Sequence, residues 1–203
     1  MRLKGLDGVE LEYFSRGKRS KIYTFVKREK RFAVKVESLG SAAVGRIKNE
    51  VKFLRLLNKH KVGPKLVKSG EGFFVYGFVE GLPILEFIEK SEDPLPVLVK
   101  VLKQCRVLDK LGINKLEMHH PMWHIFVDKD KPTLIDFERC YFTEKPKNVT
   151  QFGQFLIRCK KLDLNKKRFI LLLQEYKERQ TEKAFRNVIR CLGEAGSETP
   201  CDF

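Results

Sequence analysis

A lysine in a short apolar run, Phe32-Ala33-Val34-Lys35-Val36-Glu37, is placed to meet an anion. On a strand, Ala33, Lys35 and Glu37 project to one face while Phe32, Val34 and Val36 project to the other. The small Ala33 beside Lys35 leaves room for a flat ligand against the sheet. Glu50 is the only acidic residue between Glu37 and Glu71, among Arg46, Lys48, Lys52, Arg55, Lys59, Lys61, Lys65 and Lys68. It borders the apolar stripe of Ile47, Val51 and Leu54, where an unpaired charge is costly, so it calls for a cation. Lys35 is the natural partner. Such a pair serves either as a tie between strand and helix or as part of a binding site. The third group is Asp136 in Thr133-Leu134-Ile135-Asp136-Phe137-Glu138, at the end of an apolar run. A carboxylate there either caps the next turn or holds Mg2+, which takes one or two protein carboxylates and completes its shell with phosphate oxygens and water.

The elements that must bring these groups together follow from periodicity. Residues 9–14, 22–27 and 32–37 read as three strands of an antiparallel meander, separated by a polar connection at 15–20 and a charged turn at 28–31. The spacing of Val44, Ile47, Val51, Leu54 and Leu57 predicts a helix over 42–58. Two further strands, 65–69 and 73–78, flank the hairpin signal Gly70-Glu71-Gly72. Glu80-Gly81 breaks the pattern. Helices are expected over 83–90, 94–111, 149–161 and 166–192, and residues 112–123 read as irregular. Two short strands, 124–127 and 133–137, flank a turn at 128–132. The outline is an α+β chain of two parts: residues 1–80, with five antiparallel strands and one helix, and residues 81–203, mostly helical. A pocket between two such parts is the default ligand site.

The order of these signals resembles the protein-kinase-like fold: Ala33-Val34-Lys35 on a strand, Glu50 on the next helix, a hinge-like Phe78-Val79-Glu80-Gly81, a catalytic-loop region, then Asp136-Phe137. The likeness covers about residues 9–140. It is to the small archaeal predicted serine/threonine kinases, and it extends to RIO-type and tRNA-modification-complex kinases, whose C-terminal lobe is reduced. Ile135-Asp136-Phe137-Glu138 is also similar to the matching string of choline and aminoglycoside kinases. The resemblance implies an ATP- and Mg2+-dependent phosphotransferase acting on a protein or small-molecule hydroxyl. Lys35 would then meet the nucleotide phosphates and pair with Glu50, and Asp136 would bind Mg2+. Ala33 would flank the adenine, and the backbone near Gly77 and Val79 would supply hinge hydrogen bonds.

Two departures stand out. The glycine-rich loop is reduced to Gly17, with Lys18, Arg19 and Ser20 as substitute phosphate contacts. The catalytic loop, Asn114-Lys115-Leu116-Glu117-Met118-His119-His120-Pro121-Met122-Trp123-His124, lacks the family's Asp and Asn. Alignment on Ile125 puts His124 at the Asn position, as a candidate metal ligand, and Glu117 near the Asp position, as a candidate base. A chain that kept Lys35 and Glu50 without a competent loop would instead be a pseudokinase, a binding or scaffold protein. His119, His120 and His124 also raise a zinc alternative, with no fourth ligand nearby. Trp123 is expected as a buried anchor for the loop rather than a stacking surface.

The net charge of +15, from 41 Lys and Arg against 26 Asp and Glu, attracts polyanions, RNA among them, and allows a third role as a nucleic-acid-binding accessory factor. The C-terminal basic residues, Lys166 to Arg190, alternate with Phe169, Leu172, Leu173, Tyr176 and Phe185 at core spacing, so an ordinary amphipathic helix is expected there. Cys105, Cys140, Cys159, Cys191 and Cys201 show no CxxC spacing, which argues against a disulfide framework or zinc ribbon. No apolar run reaches membrane-span length, and the N-terminus does not read as a signal peptide, so a cytoplasmic address is expected.

Overall fold

A computed structural model of the chain describes residues 3, 6, 8–17, 20–38 and 45–193. Lys18, Arg19, Val44, Cys201 and the expected helix start at 42 lie outside those residues. The chain divides into two compact units, Met1–Glu80 with Thr133–Cys140, and Gly81–Pro132 with Tyr141–Phe203.

The first unit is built on a five-stranded antiparallel sheet of β1 (Glu12–Arg16), β2 (Ser20–Lys27), β3 (Lys30–Glu37), β4 (Leu66–Gly70) and β5 (Phe73–Gly77), in the order β1-β2-β3-β5-β4. β2 and β3 meet through Arg28 and Glu29, both at positive φ, the geometry of a tight turn whose twist matches that of the strands. The pleat sorts the side chains. Tyr23, Phe25, Phe32, Val34, Val36, Phe73 and Val75 form one apolar layer, covered by Leu3, Leu6 and Leu11. Ala33 and Lys35 project from the other face, and both are buried. Helix α1 (Arg46–Asn58) buries Ile47, Glu50, Val51, Phe53, Leu54 and Leu57.

Segment 133–140 groups with this unit because Phe137 is fully buried in it. Gly63 sits at φ +77, and a Cβ there would lie 2.8 Å from both Leu54 Cδ1 and Phe137 Cε2. Gly63→Ala is therefore expected to cost about 1–3 kcal/mol from overpacking alone, with left-handed strain added, read as a lower urea midpoint at unchanged slope.

In the second unit, α2 (Ile84–Lys90), α3 (Leu95–Lys110), α4 (Asn148–Arg158), α5 (Lys166–Arg179) and α6 (Glu182–Gly193) carry most of the chain. β6 (Leu82–Pro83) pairs with β8 (Ile125–Asp128), β7 (Ile113–Asn114) pairs with β10 (Tyr141–Phe142), and β9 (Lys131–Leu134) runs from this unit into the Thr133–Cys140 segment of the first. Three expectations need correction. The strand expected over 133–137 is β9, which ends at Leu134, so Asp136 lies beyond it. The single helix expected over 166–192 is two helices, broken where Gln180 turns left-handed at φ 46. Residues 112–123 hold β7 and two short 3-10 turns, Leu116–His119 and Pro121–Trp123. Phe169, Leu173, Tyr176 and Phe185 are buried, while Lys166, Lys167, Arg168, Lys183, Arg186 and Arg190 are exposed. The aromatics are core, and they are closed to base stacking. No helix among the described residues is long and apolar enough to cross a membrane.

Candidate functional site

The chemistry gathers around one ammonium. β3 delivers Lys35 and α1 delivers Glu50. Lys35 Nζ donates to Glu50 Oε2 at 2.6 Å and to Asp136 Oδ1 at 3.0 Å, and Glu138 Oε2 lies 3.7 Å away. Lys35 and Glu50 are 7% and 4% exposed, whereas the Asp136 side chain is 32% exposed and opens to solvent. All four groups belong to the first unit.

The segment bearing Asp136 is fixed from below. Phe137 N–H donates to Glu50 Oε1 at 3.2 Å, so one carboxylate holds both Lys35 and the backbone beside Asp136. Asn49 Nδ2 donates to the carbonyls of Glu138 at 2.9 Å and Cys140 at 3.0 Å. Asp136 itself adopts φ 62. A non-glycine residue in that region is uncommon, and Asp is among those that tolerate it. The kink aims its carboxylate at Lys35 instead of continuing the extended path of β9.

Charge and burial oppose each other here. Burial alone would push the Lys35 ammonium down, but the carboxylates of Glu50 and Asp136 overcome it and hold Lys35 above the usual lysine range. Burial pushes Glu50 up, with Lys35 and the Phe137 N–H pulling against it. Tyr76, opposite Ala33 in the β3–β5 register, has its phenol pushed up by burial and stays protonated.

At the end of β5 the sheet uses the first amides. Gly77 N–H donates to Lys65 O and Phe78 N–H to Arg31 O. Among the described residues the Val79 N–H meets no backbone acceptor. Gly17 N–H bonds Ser20 O at 2.9 Å, and a Cβ at Gly17 would make only ordinary contacts at 3.7 Å. Position 17 itself does not require glycine.

Glu117 lies in the second unit, on the 3-10 turn Leu116–His119, with Oε2 3.1 Å from Lys115 Nζ. Lys115 is fully buried. Its N–H donates to Asn148 Oδ1, and Asn148 Nδ2 donates to Asp109 Oδ1 at 2.7 Å and to Ile113 O at 2.6 Å. Asp109 also accepts from Tyr176 Oη at 2.8 Å, and burial pushes its carboxyl up against these bonds. The loop that carries Glu117 is thereby tied to α3, α4 and α5.

His124 ends the second 3-10 turn. Among the described residues, the one group of three His, Cys, Asp or Glu side chains close enough to share a cation is Glu50, Asp136 and Glu138, with ligand atoms within 4.8 Å of one another. The histidines form no such group. His119 and His120 are exposed, their rings 4.4 Å apart. Trp123 is 69% exposed rather than a buried anchor. Sequence reasoning gave no role to Asn49 or Lys115. Asn49 adjoins Glu50, a polar neighbour that could have drawn attention, whereas nothing marks Lys115 among so many lysines.

No protein-family model matches the chain, and no curated protein matches its sequence. Solved structures do. A crystallised kinase domain is 15% identical over 66% of this chain, with a TM-score of 0.53, and the chain spans 51% of that domain. The Rio2 kinase of Chaetomium thermophilum, solved as an ADP/Mg2+-phosphoaspartate complex, is 16% identical over 93% of this chain and 72% of its own, again with a TM-score of 0.53. The chain has the protein-kinase-like fold. Within this fold Lys35 lies on β3 and Glu50 on α1, the helix that follows it, and the two side chains meet.

Proposed function

We propose that this chain is an ATP- and Mg2+-dependent phosphotransferase that acts on a hydroxyl acceptor in the manner of serine/threonine kinases. The observation that carries this reading is Lys35, held by buried Glu50 and by the more open Asp136. A lysine kept charged and aimed by two carboxylates suits nucleotide phosphates. The donor set suits Mg2+ as well, because Glu50, Asp136 and Glu138 offer only hard oxygen ligands, clustered within 4.8 Å. Asp136 and Glu138 would hold the ion, which would supply neutralisation of phosphate charge. Lys35 would bind the α/β-phosphates while Glu50 keeps it oriented. The Val79 amide would donate to the adenine edge, with Ala33 and Tyr76 behind it. Glu117 would take the acceptor's proton.

A second reading has its own support. Fully buried Lys115 holds Glu117 in a part-buried ion pair, the arrangement of a structural carboxylate, so the chain would bind nucleotide without transferring phosphate. A thermal shift with ATP and Mg2+ tests the site that both readings share. At a ligand concentration of about 100 Kd the expected gain is about 2.7 kcal/mol. No shift at saturating Mg-ATP would sink both. Transfer of radiolabelled phosphate to any acceptor, the chain itself included, decides between them.

A further inference from the structure

The second unit carries a cavity of about 540 Å3, well inside the roughly 300–1,000 Å3 span of ligand pockets. Its floor is apolar: Leu85 and Ile88 from α2, Met122 from the second 3-10 turn, Phe155 from α4 and Cys159 just beyond that helix. Its rim is cationic, with Arg158, Lys160 and Lys161 set against a single carboxylate residue, Glu89.

The way these cations are held matters. Arg158 donates to the His119 carbonyl, and Lys161 Nζ donates to the carbonyls of Glu89 at 2.9 Å and Ser91 at 2.6 Å. Carbonyl oxygens orient a cation without cancelling its charge. Lys160 is exposed. The rim therefore presents fixed positive charge around an apolar hollow, on a chain whose net charge is +15.

We propose that this cavity docks an acidic segment of a partner protein, anchored by one or two large apolar side chains and flanked by Asp or Glu. The floor selects the anchor: aliphatic and thioether groups accept Leu, Ile or Phe, and Met adapts to irregular shapes. Phe155 is only 5% exposed and offers no face for a stacked base, so the floor favours a peptide over single-stranded RNA. The rim selects the flanks and steers the encounter. This surface is independent of the Lys35 site, and its test does not require nucleotide binding.

The probe is a fluorescein-labelled peptide with a Leu-Leu-Phe core between pairs of aspartates, followed by anisotropy on the full chain. Wild type should bind saturably and more weakly as salt rises. A control peptide with its core replaced by Gly-Ser-Gly should not bind. Lys160→Glu combined with Lys161→Glu should weaken binding by more than about tenfold, one decade being about 1.4 kcal/mol, and Leu85→Asp should remove it. The melting temperature of each variant checks folding, and Lys160→Glu alone, at an exposed position, should still weaken binding measurably if either other variant fails to fold. Three outcomes overturn the proposal: no binding to wild type, binding unchanged by these substitutions, or displacement of the peptide by a uridine oligomer that binds more tightly and responds to the same variants. The last would assign the surface to RNA.

Discussion

Lys35→Ala is expected to lower stability by about 3–5 kcal/mol at pH 7, the cost of breaking a buried ion pair from one side, and to remove the stabilisation by Mg-ATP. The geometry explains the size. Removing the ammonium leaves Glu50, 4% exposed, without the Lys35 charge that balances it and with the Asp136 and Glu138 carboxylates close by. Like charges in a partly dry site repel, so the deficit should shrink as pH falls through the carboxylate range and Glu50, whose carboxyl burial pushes up, takes up a proton. In the wild type the sign runs differently. The folded Lys35 pKa lies above its ordinary 10.5, so its contribution is complete below about pH 10.5 and is lost only as pH rises toward the folded value. Stability of the wild type across neutral pH should therefore not depend on Lys35 titration. Urea unfolding of Lys35→Ala, Glu50→Gln and the double variant provides the check. The double variant should be more stable than Lys35→Ala alone, because the amide can be buried without a counter-charge. A Lys35→Ala protein that unfolds like wild type would mean that these contacts do not form.

How much of this was legible in the sequence depends on what each residue's neighbours reveal. Glu50 declares itself, as the single acid in a basic stretch on the border of an apolar stripe. That anomaly leads to a cation, and the strand before the helix offers Lys35. The five strands were legible because pleat alternation and turns such as Gly70-Glu71-Gly72 are local signals, whereas the pairing of β3 with β5 is a non-local contact that they do not show. Asp136 was legible as a residue and not as a geometry: an apolar run looks like a strand until its end, and the sequence does not show that the chain leaves β9 at Leu134 and kinks through φ 62. The break between α5 and α6 was hidden for a related reason. Gln180 is not a turn residue by type, and the apolar spacing continues across it with little change of phase. Trp123 was misjudged because large aromatics are usually buried, and only the tertiary path of the two 3-10 turns leaves it 69% exposed. Lys115 was invisible. Full burial of a lysine follows from the Asp109–Asn148 hydrogen bonds that draw its backbone inward, and Asn148, which accepts from the Lys115 N–H, lies 33 residues further along the chain.

The sharpest division of roles in the proposed function is between Asp136 and Glu117. Asp136→Asn should abolish Mg2+-dependent nucleotide binding and cut any transfer by about 10²–10³-fold or more, the scale for losing one preorganised electrostatic contact. Asn tolerates positive φ as Asp does, so the backbone at 136 should keep its shape and the loss would report the carboxylate charge. Glu117→Gln should leave nucleotide binding unchanged and lower turnover by less than the 10²–10⁴-fold typical of a general base. The reason is the character of phosphoryl transfer: when the transition state is loose, positioning and charge neutralisation carry most of the rate and the acceptor's proton leaves late. Glu117 is also bound to Lys115 at 3.1 Å, and Gln preserves the side chain's size and its oxygen acceptor while losing the charge. Calorimetric titration with Mg-ATP and initial rates on the two variants separate these effects. If Asp136→Asn binds Mg-ATP as tightly as wild type, the metal assignment to Asp136 fails, and Glu138, with an oxygen 3.7 Å from the same lysine, becomes the ligand to test.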